Sequence, residues 1–142
     1  IMSAAYIGKE LESEFGKIPP SFLPLGNRRL FQHQVKSAPK NSKVYISLPE
    51  SYIVSDIDKR WFEIHNINLI VTPDNLSLGE SLVAAINLSE STLDEPLVVL
   101  FGDTLIKDLP IGEDVVGISQ VTDNYDWAVV EDNDLDWLEN NS

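Results

Sequence analysis

The apolar residues of this chain lie in short runs that alternate with segments of helical periodicity, and this alternation constrains the fold more than any other feature. Four runs predict strands: Ile1 to Ala5, Lys43 to Leu48, Ile67 to Val71 and Leu97 to Phe101. Helices are predicted at Leu30 to Lys36, at Ser55 to His65 and from Ser77 onward. The pattern favours a mostly parallel sheet with helices on both faces, a three-layer α/β/α sandwich of Rossmann-like type.

Local signals refine these elements. Ser55 and Ser77 each open a helix with an acidic residue three positions later, as in a capping box. The segment from Tyr6 to Gly16 is expected to be an irregular loop, because glycines interrupt it. Prolines at positions 19, 20 and 24 exclude a regular helix, and Gly26-Asn27 predicts a turn. Later strands are predicted at Val115 to Val121 and Trp127 to Val130.

The run Leu97 to Phe101 is too short for a free-standing helix and predicts a strand that is buried on both faces. It ends at Gly102, so Asp103 and Thr104 follow the carboxyl end of the strand. Ligands of open α/β sheets bind at that edge, which makes this carboxylate and this hydroxyl candidate site groups. An aspartate in a plain turn or helix cap is the alternative, and the stretch alone does not decide between them.

The composition sets outer limits. A chain of 142 residues with 43% hydrophobic residues predicts one domain with an ordinary core. The absence of cysteine excludes disulfides and cysteine-ligated zinc. No run of about 18 apolar residues and no signal-peptide pattern occurs, so we expect a cytoplasmic protein without membrane insertion. Because the chain starts inside an apolar segment and stops in an acidic one, we expect the N-terminal fragment of a longer protein.

The net charge of −13 is distributed unevenly. Residues 1–89 hold nine acids and nine bases, whereas residues 90–142 hold fourteen acids and a single base, Lys107. Such a balance is atypical of proteins that bind a nucleic-acid backbone, so no nucleic-acid partner is predicted. Any surface that handles phosphate is expected in the N-terminal half, where the bases lie.

Several common motifs can be excluded. Neither the G-x-G-x-x-G loop of Rossmann dehydrogenases nor the Gly-Lys-Ser/Thr of P-loops is present. D-x-D pairs occur, but Asp56 and Asp58 begin a predicted helix, and Asp134 and Asp136 lie in the acidic tail, so both pairs are interpreted as non-functional. The two histidines, at positions 33 and 65, have no partner pattern and are expected on helix surfaces.

Four segments, taken in order, resemble the sugar-1-phosphate nucleotidyltransferase family, also called sugar-nucleotide pyrophosphorylases. They are SAAYIGKEL from Ser3 to Leu11, PPSFLPLGNRRL from Pro19 to Leu30, Leu78-Gly79-Glu80-Ser81, and Phe101-Gly102-Asp103-Thr104. Trp127 to Glu131 resembles a later strand of the same family. The resemblance implies the nucleotide-diphospho-sugar transferase fold with strand order 3-2-1-4. It also implies transfer of a nucleotidyl group from a nucleoside triphosphate to a sugar phosphate, with surface-polysaccharide (capsule) synthesis as one pathway.

The resemblance also assigns site residues. Nucleotide binding is implied for Ala4, Ala5, Gly8 and Gly79, the last at the base, and binding of a Mg²⁺ cofactor for Asp103. The chemistry is attack of the sugar phosphate on the α-phosphorus with pyrophosphate leaving, for which the protein supplies positive charge and alignment.

The sequence departs from the family where positive charge is expected. Pro20 stands in place of the catalytic lysine, Glu10 in place of the loop arginine, and Tyr6 in place of the first loop glycine. Nearby bases that could compensate are Lys9, Lys17, Arg28 and Arg29, although each is more typical of a solvated surface. A catalytically silent nucleotide-binding or scaffold domain is therefore the alternative function. The oligomeric state, the base and the sugar stay open.

Overall fold

The structure, a computed structural model, describes residues 1–89, 95–109, 112 and 115–117. The chain forms two compact units, residues 1–109 and residues 110–142, and all described helices and strands belong to the first. A compact unit is not by itself an independently folding domain, so the single domain over residues 1–142 stays a prediction. The predicted strand Trp127 to Val130 and most of Val115 to Val121 lie outside the described residues.

The described part of the first unit is mixed α/β, with no closed barrel. Its helices are α1 (Lys9–Phe15), α2 (Leu30–Ser37), α3 (Asp56–Ile64) and α4 (Leu78–Leu88), with a 3-10 turn at Pro20–Phe22. Its strands are β1 (Pro24–Leu25), β2 (Arg28–Arg29), β3 (Val44–Pro49) and β4 (Ile67–Thr72). The strands form two sheets of two strands each, one of them parallel.

The parallel pair confirms the central part of the predicted alternation. Strand β3 pairs with β4 in a register that runs from Val44 opposite Ile67 to Pro49 opposite Thr72, and α3 connects the two strands. These elements lie within one residue of their predicted bounds. The antiparallel pair β1–β2 is a hairpin closed by the predicted turn at Gly26-Asn27, where Gly26 adopts a φ of 64° that favours glycine.

The first and fourth predicted strands are each reduced to one pairing residue. Met2 forms parallel bridges with Ser47 of β3 and with Phe101. The prediction of full strands at Ile1 to Ala5 and Leu97 to Phe101 is therefore wrong, although the neighbours of Met2 are those the prediction named.

The prediction that the run Leu97 to Phe101 is buried on both faces is also wrong. Leu97 is 61% exposed and Phe101 is 47% exposed. Among the described residues, the run pairs only through Phe101, and the residues before Phe101 line a cleft. An apolar run shows that burial is favourable, but burial itself requires neighbours on both faces.

The segment predicted as an irregular loop contains a helix instead. Helix α1 spans Lys9–Phe15, and its sequence is rich in lysine, glutamate and leucine, which are good helix formers. Gly8 and Gly16 lie at its two ends, and Gly16 has a φ of 78°. The glycines thus mark the boundaries of a helix rather than interruptions of a loop.

An aromatic core covers one face of the parallel pair. Phe22 of the 3-10 turn, Phe31 of α2 and Phe62 of α3 meet with ring centroids 4.9 to 6.3 Å apart. Phe22 and Phe31 are fully buried. The core cluster also contains Ile46 and Leu48, so the turn, the two helices and the sheet are packed together as one body.

Both predicted helix starts carry a serine cap. Ser55 Oγ accepts a hydrogen bond from the amide of Asp58, and Ser77 Oγ accepts one from the amide of Glu80. The Glu80 carboxylate in turn accepts from the Ser77 amide, which completes the second capping box. Among the described residues, the helices are all too short or too polar to cross a membrane.

Candidate functional site

The carboxyl edge of the sheet is where the structure brings the predicted site segments together. Because Met2 lies between Ser47 and Phe101 and both bridges are parallel, the chain leaves the sheet on the same side after Met2, Pro49, Thr72 and Phe101. The segments that follow these positions include most of the residues assigned by sequence. The topology thus provides the edge at which parallel α/β sheets bind ligands.

Gly102 joins two of these segments. Its amide donates a hydrogen bond of 2.7 Å to the carbonyl of Met2. A Cβ atom at this position would lie 2.6 Å from Ser3 Oγ and 2.8 Å from Met2 O. No side chain other than hydrogen fits there without displacing the backbone, so this approach explains the glycine. Ala4 follows Ser3 in the chain, and Asp103 follows Gly102. The contact between Ser3 and Gly102 therefore brings the predicted nucleotide loop close to the predicted metal ligand.

Asp103 is presented on a tight turn. The amide of Thr104 donates to the carbonyl of Phe101 at 3.1 Å, which closes a turn with Gly102 and Asp103 at its centre. The side chain of Asp103 is exposed, and Thr104 Oγ1 donates to its Oδ1 at 2.9 Å. No described residue donates to Oδ2. One carboxylate oxygen is thus oriented and the other is open to a ligand.

The predicted nucleotide loop is held at two points. The Tyr6 hydroxyl lies 2.6 Å from Ser51 Oγ in the turn after β3, and the amide of Ile7 donates to the carbonyl of Ile18. Gly8 is exposed at the start of α1, and a Cβ atom there would have no other atom within 4 Å. Ala4 is half-buried and Ala5 is exposed. The loop is therefore held in place by Tyr6 and Ile7, while Ala5 and Gly8 are exposed.

Gly79 lies farther along the same edge. It occupies the first turn of α4, the helix that follows β4, and it is exposed with no atom within 4 Å of where a Cβ would be. Strand β4 is separated from Met2 by β3, which at ordinary strand spacing puts its carboxyl end about 10 Å from that of the first segment. The structure places Gly79 at the predicted edge but not in contact with Asp103.

Three of the four candidate cations, Lys9, Lys17 and Arg28, are exposed. Lys17 has its Nζ 4.3 Å from the centre of the Tyr6 ring, so it lies over the nucleotide loop. Lys9 is the first residue of α1, and Arg28 lies in strand β2. Within the described part of the chain, none of the three forms an ion pair. Lys17 is therefore the candidate cation that a contact joins to the loop.

Arg29 differs from these bases, because its guanidinium has structural partners, although 39% of the side chain stays exposed as expected of a surface residue. Its Nε donates to Asp58 Oδ1 at 2.8 Å, and its Nη1 donates to the carbonyl of Phe22 at 3.1 Å. The guanidinium carbon also lies 5.5 Å from the centre of the Phe22 ring. This cation is therefore bound to structural partners at the edge of the core. Asp58 is accordingly structural, which agrees with the interpretation that its D-x-D pair is non-functional.

The positions where the resemblance places cations carry none. Pro20 is the first residue of the 3-10 turn, and Glu10 is exposed in the first turn of α1. The next residue after Pro20, Ser21, donates to Ser3 Oγ from both its amide and its hydroxyl, at 3.1 and 2.7 Å. The turn that contains Pro20 is therefore bonded to the segment that contacts Gly102.

A magnesium site built from protein ligands alone does not fit the described residues, because they contain no group of three acidic or histidine side chains that could hold a metal ion. Mg²⁺ is commonly held in another way, by one or two carboxylates together with substrate phosphates and water. Asp103, with its open Oδ2, fits that second arrangement. The donor set is therefore compatible with an ion that is shared with a bound nucleotide.

A cleft of about 610 Å³ shares Met2 and Gln34 with the surroundings of the predicted site. Its lining includes Ile70 of β4, Leu82 and Ile86 of α4, and the run Glu95 to Leu100. This is the opposite face of the sheet from the aromatic core, since Ile67 belongs to the core and side chains alternate along a strand. None of the residues assigned by sequence lines it.

Sequence reasoning missed Gln34. This side chain is 1% exposed and donates from Nε2 to the carbonyls of both Phe101 and Thr104, at 2.9 and 2.8 Å. A signal was present in the sequence, because Gln34 follows Leu30 and Phe31 at helical spacing and therefore shares their buried face. A glutamine on the buried face of a helix needs a partner.

Comparison of the chain with protein-family models, with curated proteins and with solved structures gave no match.

Proposed function

We propose that the chain is the nucleotide-binding part of a nucleotidyltransferase-like protein, which transfers a nucleotidyl group from a nucleoside triphosphate to a sugar phosphate or a similar phosphorylated small molecule. The observation that carries the proposal is the contact of Gly102 with Met2 and Ser3. It accounts for Gly102 by close packing and puts Asp103 beside the loop that the resemblance assigns to the nucleotide. A turn aspartate with no ligand role would not require this neighbour.

The finer fold is part of the proposal. The parallel bridges of Met2 to Ser47 and Phe101, together with the β3–β4 pair, support a sheet in which β4, β3, the segment around Met2 and the segment around Phe101 lie side by side. This is the order 3-2-1-4 of the four strands predicted from the sequence. Helices α3 and α4 both pack on β4, and the core and the cleft lie on opposite faces of the strand pair. A three-layer α/β/α sandwich is the architecture that agrees with these contacts.

Each segment at the carboxyl edge has a role in this function. The backbone amides of Ala4, Ala5 and Gly8 bind phosphate, Gly79 lies beneath the base, and Asp103 holds Mg²⁺ that is shared with the phosphates. The ion, when bound, neutralises charge on the triphosphate. Lys17 is the candidate cation nearest to the loop. The cytoplasm, as the location of nucleoside triphosphates, is the compartment that goes with this function, and surface-polysaccharide synthesis is the proposed pathway.

A specific observation favours a second candidate, a catalytically silent domain that binds a nucleotide without turnover. Pro20 and Glu10 occupy the positions expected to be cationic, and Arg29 is committed to Asp58 and Phe22. A carboxylate near a triphosphate costs on the order of 1 to 4 kcal/mol at a partly exposed site. This loss affects transfer more than binding, because charge accumulates in the transition state.

Calorimetric titration of the chain with ATP, CTP, GTP and UTP, with and without Mg²⁺, tests the proposal. We expect weak or no binding without the ion and affinity at least about tenfold higher with it, which corresponds to about 1.4 kcal/mol. Asp103→Asn should abolish this gain. Asp108→Asn, the same change at another exposed aspartate of the segment, should retain it. Binding that ignores both Mg²⁺ and Asp103 would refute the proposed site.

Turnover separates the two candidates. Release of pyrophosphate from a bound triphosphate in the presence of hexose 1-phosphates supports the transferase. Metal-dependent binding without any release of pyrophosphate supports the silent domain.

A further inference from the structure

The turn that carries Asp103 is bonded to α2 by one buried side chain, that of Gln34. Gln34 extends from α2 and donates from the same nitrogen, Nε2, to the carbonyl of Phe101 at 2.9 Å and to that of Thr104 at 2.8 Å. These two carbonyls bracket Gly102 and Asp103. The contact spans about seventy positions of sequence, so it fixes the turn to a distant helix rather than to its own neighbours.

The amide is held in one orientation. The reverse orientation would place Oε1 against two carbonyl oxygens, and two acceptors cannot bond to each other. In the observed orientation Oε1 is buried and accepts no hydrogen bond from the described residues. A buried acceptor without a partner is unfavourable, and an apolar side chain at this position would avoid that cost. The advantage of glutamine at position 34 is therefore its two N–H donors, which bond to the carbonyls of the turn.

The bonds from Gln34 complete a set that fixes the peptides on both sides of Asp103. Gly102 N donates to Met2 O on the strand side, and Thr104 N donates to Phe101 O across the turn. Thr104 Oγ1 then orients the carboxylate itself. Gln34 lies outside the turn, so a substitution of its side chain removes its bonds without changing the residues of the turn.

We infer that Gln34 is a positioning residue, which holds the turn so that the Asp103 carboxylate is set for a nucleotide-bound Mg²⁺. This inference rests on the proposed function. Partners that orient a metal ligand affect affinity strongly, and their substitution commonly costs 10-fold to 100-fold in metal binding.

The test uses two glutamines of the same helix. Gln34→Glu replaces a donor by an acceptor and loses both bonds to the turn. Gln32→Glu is the matched control, because Gln32 Oε1 accepts a hydrogen bond from the amide of Arg29, and a carboxylate can still accept it. Both variants add the same charge to α2. With ATP, CTP, GTP and UTP as probes, we expect the Mg²⁺ concentration for half-maximal gain in nucleotide affinity to rise about 10-fold to 100-fold in Gln34→Glu and to change little in Gln32→Glu.

A titration without metal, a neutral variant and amide hydrogen exchange separate positioning from folding. For each nucleotide that the wild type binds measurably without Mg²⁺, Gln34→Glu should retain that affinity, because a merely structural defect would lower it as well. Gln34→Met, which is neutral and of similar length, should give the same increase in the Mg²⁺ requirement. Amide hydrogen exchange at Thr104 should accelerate in both variants, since that amide closes the turn.

Three outcomes would each overturn a different claim. An equal Mg²⁺ requirement in the Gln34 variants and in Gln32→Glu overturns the inference and leaves the proposed function standing. Absence of any Mg²⁺-dependent binding in the wild type overturns the proposed function and the inference with it. Failure of both Gln34→Glu and Gln34→Met to fold identifies Gln34 as a folding residue and overturns the positioning role.

Discussion

Two aspartates of this chain have opposite environments. Asp58 lies in the first turn of α3, is 4% exposed, and has its carboxylate bonded to Arg29 and to Ser55 Oγ. Asp103 follows Gly102 on an exposed turn, and Thr104 contacts one of its two oxygens. The D-x-D pattern drew attention to the first, and the Gly-Asp-Thr pattern to the second. The comparison teaches that an acidic motif can bind a ligand only where the fold leaves a carboxylate oxygen without a structural partner.

Removal of the buried carboxylate should have the largest effect. Asp58→Ala removes the partner of a guanidinium whose side chain is 39% exposed, so solvent compensates part of the loss, and we expect the free energy of unfolding to fall by about 1 to 3 kcal/mol. Urea denaturation measures this change. Asp56→Ala is the control. The Asp56 side chain is fully exposed and its ion pair with Lys59 is long, at 3.8 Å, so no measurable loss of stability is expected. Equal losses in the two variants would mean that the Asp58–Arg29 pair is not structural.

The contact beneath Asp103 comes next. Gly102→Ala introduces a Cβ that would lie 2.6 Å from Ser3 Oγ, and we expect a loss of about 1 to 3 kcal/mol in the free energy of unfolding. Gly79→Ala has open space around its Cβ and lies in α4, so it should raise stability by up to about 1 kcal/mol. If Gly102→Ala were neutral, the close approach of the two segments would be refuted. Thermal or chemical unfolding of both variants provides the comparison.

Glu80 is an intermediate case, since it is exposed but bonded. Its hydrogen bonds from the amide and the hydroxyl of Ser77 hold its pKa below the ordinary value of 4.5. A lowered folded pKa contributes stability that is fully present above the unfolded pKa and is lost as pH falls through the folded pKa. The unfolding midpoint of the wild type should therefore fall more steeply than that of Glu80→Gln from about pH 6 to about pH 3. Parallel pH profiles would contradict the assignment.

The smallest expected effect on stability belongs to Asp103. Because the carboxylate is exposed and its one bond comes from the adjacent threonine, Asp103→Asn should change the free energy of unfolding by less than about 0.5 kcal/mol. Urea denaturation beside Asp58→Ala measures the contrast. A large loss in Asp103→Asn would assign this residue a structural role and remove the distinction between the two aspartates.

Features that depend on near neighbours were predictable from the sequence. Ser77 and Glu80 form their capping box within four residues. The apolar residues of β3 and β4 show a spacing and a composition that predict strands without knowledge of distant neighbours. The glycines around α1 were misinterpreted, because the same residue type ends a helix or interrupts a loop depending on its position. Good helix formers between Gly8 and Gly16 were the signal that decides this.

Features that depend on distant partners were not predictable. Arg28 and Arg29 are adjacent in sequence, yet one is exposed and the other bonds to Asp58, twenty-nine positions away. The two bonds of Gln34 and the packing of Gly102 on Ser3 also join residues that share no local pattern. The strand Leu97 to Phe101 failed as a prediction for the same reason, because pairing depends on what lies beside a run and not on the run itself.

The bond between Gly102 and Met2 also has a consequence for the order of folding. It joins residues one hundred positions apart, whereas β3 and β4 pair across twenty-three. Closing the longer loop costs on the order of 4 kcal/mol of chain entropy, so β3, α3 and β4 can associate before the turn that carries Asp103 arrives. A nascent or proteolysed chain that stops before residue 95 would then keep the aromatic core and lack the carboxylate, because the candidate site is completed only by the last part of the unit to dock.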